Sequence, residues 1–121
     1  MNGIQTRRVY EPPSSEDGAR LLVDRLWPRG VRKDGLHLTG WLKEIAPSAL
    51  LRQWFDHDPA RWTEFRRRYF AELEEHPSGW QPILYAARSG RVTLLYAAKD
   101  VERNNAVALQ AFLARKLAAK S

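Results

Sequence analysis

The chain contains no cysteine. That single absence excludes disulfides, thiolate nucleophiles and cysteine-based zinc sites together. Its three histidines, His37, His57 and His76, are spread about twenty residues apart. No His-x3-His or His-x-x-Glu-His pattern exists, so no metal site is expected from local spacing. No stretch reaches the ~18 uninterrupted apolar residues of a membrane span. Residues 1–8 lack the apolar core of a signal peptide, so the expectation is a cytoplasmic protein with no membrane partner. Gly-x-Gly-x-x-Gly, the Walker phosphate loop and the Gly-x-Ser-x-Gly elbow are all missing. No cofactor can therefore be named from a fingerprint.

What is present describes one domain spanning residues 1–121. Hydrophobic residues make up 44% of the chain, enough for a real core and too many for wholesale disorder. The net charge is +6, carried by 15 Arg and 5 Lys against 14 acids. Between Arg20 and Arg68 there are 11 basic and 6 acidic residues, so this middle segment holds +5 of the +6. Such a field favours an anionic partner, small or polymeric. The excess of Arg suits carboxylate or phosphate, which its rigid fork grips with two hydrogen bonds.

Three strands are expected, near 4–10, 20–27 and 91–98. Leu21-Leu22-Val23 is apolar at successive positions, and Val92-Thr93-Leu94-Leu95-Tyr96 carries apolar residues on both faces, broken only by Thr93. Neighbouring side chains in a strand point to opposite faces, so these strands should be covered on both sides. The pattern predicts a small α/β fold, with a mainly parallel sheet covered by helices. Ser48 and then Asp58-Pro59 are helix-start signals. They open helices reaching about Asp56 and Glu75, the second burying Trp62, Phe65, Tyr69 and Leu73. A third helix is expected around Trp80 to Ala87, with Pro82 in its first turn and Gly90 as a left-handed cap. A fourth follows Asn104 and Asn105, fraying over residues 118–121. The segment 28–40 is long for a structureless connection, and such loops often carry function.

Both core strands end in charge: Asp24-Arg25 on one, Lys99-Asp100 on the other. In open α/β sheets, ligands bind beyond the carboxyl ends of the strands. If the two strands run parallel, those charges meet at one edge, beside the free N–H groups of the last helix. Asp24, His57 and Asp100 are the candidates for acid or base chemistry, imidazole being the side chain that titrates near neutrality. Arg25, Trp27, Arg29, Lys33, Lys43, Arg52, Lys99 and Asn104 are the candidate ligand-binding residues. The alternative is a structural ion-pair network that ties loops to strand ends. Arg66-Arg67-Arg68 looks like a second basic patch. However, Glu64 lies four before Arg68 and Glu72 four after it, the spacing of a solvated helix face.

One block, Val23-Asp24-Arg25-Leu26-Trp27-Pro28-Arg29-Gly30, resembles the signature of the YeaO-like proteins, a bacterial group within the domain-of-unknown-function 488 family. The resemblance continues through Trp41-Leu42-Lys43, Ala46-Pro47-Ser48, Leu51-Arg52-Gln53-Trp54-Phe55-Asp56-His57, and Phe65 with Tyr69 and Glu72-Leu73. It ends at Leu94-Leu95-Tyr96-Ala97-Ala98-Lys99-Asp100 and Asn104 with Ala106, and so covers nearly the whole chain. It implies a small cytoplasmic α/β domain and supplies no reaction. Some wider relatives carry a Cys-His-Arg cluster near the start of the last helix. Arg103-Asn104-Asn105 stands there in this chain, so thiol chemistry does not carry over. The expectation is a site for a small anionic ligand (phosphate, carboxylate or nucleotide), with catalysis open. The alternative is a non-enzymatic nucleic-acid-binding module that uses the basic central segment.

Overall fold

The computed structural model describes residues 3–119. Four strands form one sheet in the order β1-β4-β2-β3, where β1 is Ile4–Arg8, β2 Ala19–Leu22, β3 Gly40–Trp41 and β4 Val92–Tyr96. All three pairings are parallel. At the centre, Leu94 of β4 lies opposite Thr6 on one side and Leu21 on the other. The helices are α1 (Ala49–Phe55), α2 (Trp62–Glu74), α3 (Pro77–Ser89) and α4 (Asn105–Ala119). Lys120 and Ser121, at the expected frayed end, lie outside the described residues.

The doubly apolar strands are covered on both faces, but by different means. Leu21, Val23, Val92, Leu94 and Tyr96 join the main core, to which all four helices contribute. Leu22 and Leu95 point the other way. They meet Val9 and Leu36, with Trp27, Val31, Leu38, Trp41 and Ala97 packed around them. Residues 27–41 thus cover this second face with a loop rather than a helix. That explains the length of the connection. It is tied down by a 3-10 turn at Lys33–Gly35 and by β3, a strand too short to show any alternation in the sequence.

Several boundaries differ from the sequence reading. β2 was expected to reach Trp27, yet its pairing stops at Leu22, with Val23 N–H still donating to the Leu95 carbonyl (3.1 Å). Just beyond, the Asp24 side chain takes the Ala97 N–H (2.9 Å), so a carboxylate ends the ladder. β1 ends at Arg8 rather than Tyr10, because Glu11 N–H turns back to the Arg8 carbonyl (3.1 Å). α3 begins at Pro77, which places Pro82 inside the helix, where it cannot donate to the Ser78 carbonyl. Gly90 is extended, with φ 174°, and is not a left-handed cap. Gly18 does need its glycine: its φ is +65°, and a Cβ there would collide with the Arg91 carbonyl.

Charge is buried at the amino-terminal end of the sheet, and it is paired, although the Arg20 Nη2 has no hydrogen-bond partner among the described residues. The Arg20 guanidinium pairs with Asp17, while its Nε donates to the Leu36 carbonyl (3.0 Å). Gln5 Nε2 donates to Asp17 (3.2 Å) and to Thr93 Oγ1 (2.7 Å), and Thr93 donates to the Asp17 carbonyl (2.7 Å). Burial alone would raise the Asp17 carboxyl. The Ser14 N–H and the Arg20 cation outweigh it and hold the group below its ordinary value.

Removing one partner of such a pair leaves the other charge stranded. Asp17→Ala should cost roughly 3–5 kcal/mol in urea denaturation, and clearly less in an Arg20→Met background. The depressed carboxyl also fixes the sign of the pH effect. The Asp17 contribution is complete above the unfolded value of 3.8 and is lost as pH falls through the lower folded value. Equal costs in the two backgrounds would show that the pair is not coupled.

Candidate functional site

The carboxyl ends of β2 and β4 open into a cavity of about 770 Å³. The chain leaving β2 forms one wall, from Asp24 to Arg29, and Ala97 and Ala98 after β4 form the second. The end of α1 supplies Arg52, Gln53 and the turn through His57, and the approach to α4 supplies Arg103, Asn104 and Asn105. Ala46, Pro47, Phe65 and Tyr10 complete the lining.

Asp24 joins these walls. Its Oδ2 accepts the Ala97 N–H (2.9 Å) and its Oδ1 accepts Asn105 Nδ2 (3.1 Å). Asn105 Nδ2 also reaches the Val23 carbonyl (3.0 Å), and the indole N–H of Trp41 donates to the Asp24 carbonyl (2.7 Å). One residue therefore holds β2, β4, α4 and β3 together. Burial pushes its carboxyl above the usual carboxylate range, against the hydrogen bonds from Asn105 and Ala97 and the field of Arg52.

The cations around it are held loosely. Arg25 makes a long contact to the Ala46 carbonyl (3.4 Å) and a 3.9 Å approach to Glu44. Its buried Nε has no partner among the described residues. Its side chain also borders a second cavity of about 530 Å³, which Glu44, Glu72, Glu75 and His76 help to line. Arg103 lies 3.5 Å from Asp100. Among the described residues, neither Arg29 nor Arg52 has a carboxylate within 4 Å, and both are exposed.

His57 reaches the lining through an unusual turn. Asp56 and His57 both have left-handed backbones, φ 47° and 54°, closed by Asp58 N–H on the Phe55 carbonyl (2.9 Å). Two successive non-glycine residues in that region cost of order 1–3 kcal/mol each. Packing of Phe55 on Phe65 (4.3 Å) and the Asp58 cap on Ala60 N–H (3.0 Å) hold the turn from either side.

The candidates from the sequence divide accordingly. Asp24, Arg25, Trp27, Arg29, Arg52, His57 and Asn104 border the one cavity. Lys33, Lys43, Lys99 and Asp100 do not. Lys33 is exposed in the 3-10 turn, and Lys43 lies over the Trp41 ring at 5.0 Å. Asp100 instead organises its own loop. It accepts the Glu102 (2.9 Å) and Arg103 (3.1 Å) N–H groups, and these hydrogen bonds hold its carboxyl below the ordinary range. Asn104 is committed as the cap of α4: its Oδ1 accepts the Val107 N–H (2.9 Å) and its Nδ2 donates to the Asp100 carbonyl (2.9 Å). His57 has neither Asp24 nor Asp100 within ion-pair distance, so the acid/base pair conceivable from sequence does not form. Sequence reasoning missed Asn105, Gln53, Tyr10 and Arg103 in the lining. Asn105 was visible only as half of an Asn-Asn pair, and nothing in one dimension says which Asn caps the helix and which faces the strand end.

A parallel α/β domain with its cavity at the strand carboxyl ends defines the class of protein. The comparisons with known proteins then place it in a family. The chain matches, over residues 3–121, the family model described as "Inactive DUF488-N3 subclade". It is 44% identical over 110 residues to the uncharacterized protein YeaO of Escherichia coli K12, covering 91% of this chain and 96% of that one. It is 40% identical over 110 residues to the uncharacterized proteins Mb3100c of Mycobacterium bovis and Rv3073c of Mycobacterium tuberculosis H37Rv, covering 91% of this chain and 92% of each of theirs. No solved structure matches. The chain belongs to the YeaO-like group of the DUF488 family.

The raised Asp24 carboxyl has a measurable signature. The native state keeps this proton to higher pH than the unfolded chain does, so stability falls as pH rises from 3.8 through the raised folded value. Asp24→Asn lacks this titration. The stability difference, wild type minus variant, should therefore shrink in chemical denaturation as pH rises from 3.8 through the raised folded value. An Asn amide would also face the Asn105 amide, donor to donor. An offset of about 1–3 kcal/mol from that mismatch should be present at every pH. A difference that grows with pH would mean that the ionised carboxylate is favoured in the fold.

Proposed function

We propose that the cavity at the carboxyl ends of β2 and β4 binds a small anionic ligand, a phosphate, carboxylate or nucleotide, and that this chain binds it without chemical turnover. The observation that carries the reading is the state of Arg29 and Arg52. Both line the cavity, and neither has a carboxylate within 4 Å among the described residues. An Arg fork without an internal partner is suited to two oxygens of an incoming anion.

Binding is favoured over catalysis on the chemistry of the groups available. Each Asp24 oxygen already accepts a hydrogen bond, His57 has no carboxylate to orient it, and Ser48 is engaged by Glu72 (2.6 Å) and by its own helix. Among the residues that line this cavity, none forms a nucleophile with an adjacent base; the Ser48–Glu72 pair borders the second cavity. The word "inactive" in the subclade's description agrees with this. The nucleic-acid reading has less support. Arg67 and Arg68 both hydrogen-bond Glu64, whose carboxyl is brought down to about 2 by them, and Arg68 also covers the Trp54 ring at 4.1 Å. Glu72, expected to pair with Arg68, turns instead to the Ser48 N–H (2.9 Å).

Arg52→Met tests the proposal. Arg52 is exposed and has no carboxylate within 4 Å, so stability should change by only about 0.5 kcal/mol. In thermal-shift titrations with phosphate, sulfate and nucleotides, the wild type should gain about 2.7 kcal/mol at a hundred times the dissociation constant. The variant should bind at least tenfold more weakly. A loss of roughly 3–5 kcal/mol in the unliganded variant would instead mark Arg52 as a structural clamp on Asp24.

A further inference from the structure

Resting on the anion-binding reading, we infer that the ligand is amphipathic: a phosphate or carboxylate head joined to a flat apolar body, such as an aromatic ring. The argument starts from size. A cavity of about 770 Å³ lies within the range of sites for organic molecules, and a bare oxyanion would leave most of it unfilled. Its walls are also not uniformly polar. The cations come from the end of α1, the approach to α4 and the chain after β2, whereas Leu26, Trp27, Pro28, Phe55, Ala97 and Tyr10 supply apolar surface.

Two of these side chains are placed against their own solvation. Among the described residues, the large apolar side chains left exposed are Tyr10, Leu26, Leu50, Tyr85 and Val101. Leu26 at 71% and Tyr10 at 48% exposure both border this one cavity. Leu26 sits between Arg25 and Trp27 in a segment anchored on either side, by the Asp24 hydrogen bonds and by the Trp27 indole on the Val31 carbonyl (2.7 Å). It has no ready way to fold inward. Tyr10 is fixed by its hydroxyl on the Arg29 carbonyl (2.9 Å) and by the Arg8 guanidinium at 4.9 Å from its ring. The same tyrosine thus braces the backbone of a free cation and offers apolar surface to the cavity. A ligand with an anionic end and an apolar body would satisfy the unpaired Arg forks and cover Leu26 and Tyr10 together. An inorganic anion would satisfy only the first.

Calorimetric titration of the full chain with two matched pairs tests this: phenyl phosphate against inorganic phosphate, and 2-naphthoate against acetate. The aromatic member of at least one pair should bind ten times more tightly or better, a difference of about 1.4 kcal/mol. The pair that responds identifies the head group. In a Leu26→Ser, Tyr10→Ala variant with an unchanged circular dichroism spectrum, that ratio should fall towards one. Equal affinities within both pairs would overturn the amphipathic ligand while leaving anion binding intact. A ratio that survives the double substitution would overturn it as well, since the apolar wall would then lie elsewhere. Absence of binding by all four compounds would remove both readings.

Discussion

A carboxylate where a ladder hydrogen bond should be is the constraint on which the rest of this molecule turns. β2 and β4 run parallel and in register as far as Leu22 and Leu95. At the next N–H in line, Asp24 puts its side chain in place of a backbone carbonyl and accepts the hydrogen bond of the Ala97 N–H. The strands need not diverge by chance beyond that point, because the substitution ends the ladder and anchors the end. Asn105 then reaches from α4 to the same carboxylate and to the Val23 carbonyl, which seats the helix beside the strand end. The mouth of the cavity is the space that this arrangement leaves open.

The two ends of the sheet show how one residue type is used in opposite ways. Arg20 is buried at the amino-terminal end and held by Asp17 and the Leu36 carbonyl. Arg52 is exposed at the carboxyl end and has no such partner among the described residues. A cation that is buried must be paired, or folding fails. A cation held at the surface beside a half-buried carboxylate is under no such obligation. It lowers the cost of ionising Asp24 through the field alone and keeps its donors for something else.

Much of this was legible in the sequence, for physical reasons that differ by element. β4 declared itself through Val92, Leu94, Leu95 and Tyr96, apolar on both faces with only Thr93 between them, and all five residues are buried. Ser48 and Asp58 were readable as caps because the oxygen at that position has a fixed job: Ser48 Oγ accepts the Leu51 N–H and Asp58 the Ala60 N–H. β3 was not legible, since two residues carry no period. Nor was the cover of the second sheet face, because the contacts of Leu36 and Val31 depend on how an irregular loop returns to the sheet. The charged strand ends pointed to the edge of the sheet where the cavity lies. They could not distinguish Asp24, which faces the cavity, from Asp100, whose acceptors are consumed by two N–H groups of its own loop.

That last difference also bears on what such a site can do. A general base needs a free lone pair aimed at the reacting proton and a partner that sets its basicity. Asp100 is held low by its own loop, and Asp24, though raised, has each oxygen engaged in holding the fold. Both oxygens of Asp24 are taken by the Ala97 N–H and the Asn105 amide, so neither is aimed at a reacting proton. The residue best placed to do chemistry is therefore the one least free to do it. In a cavity built on such a residue, the side chains that keep their donors clear of carboxylates, among the described residues, are the surrounding cations Arg29 and Arg52.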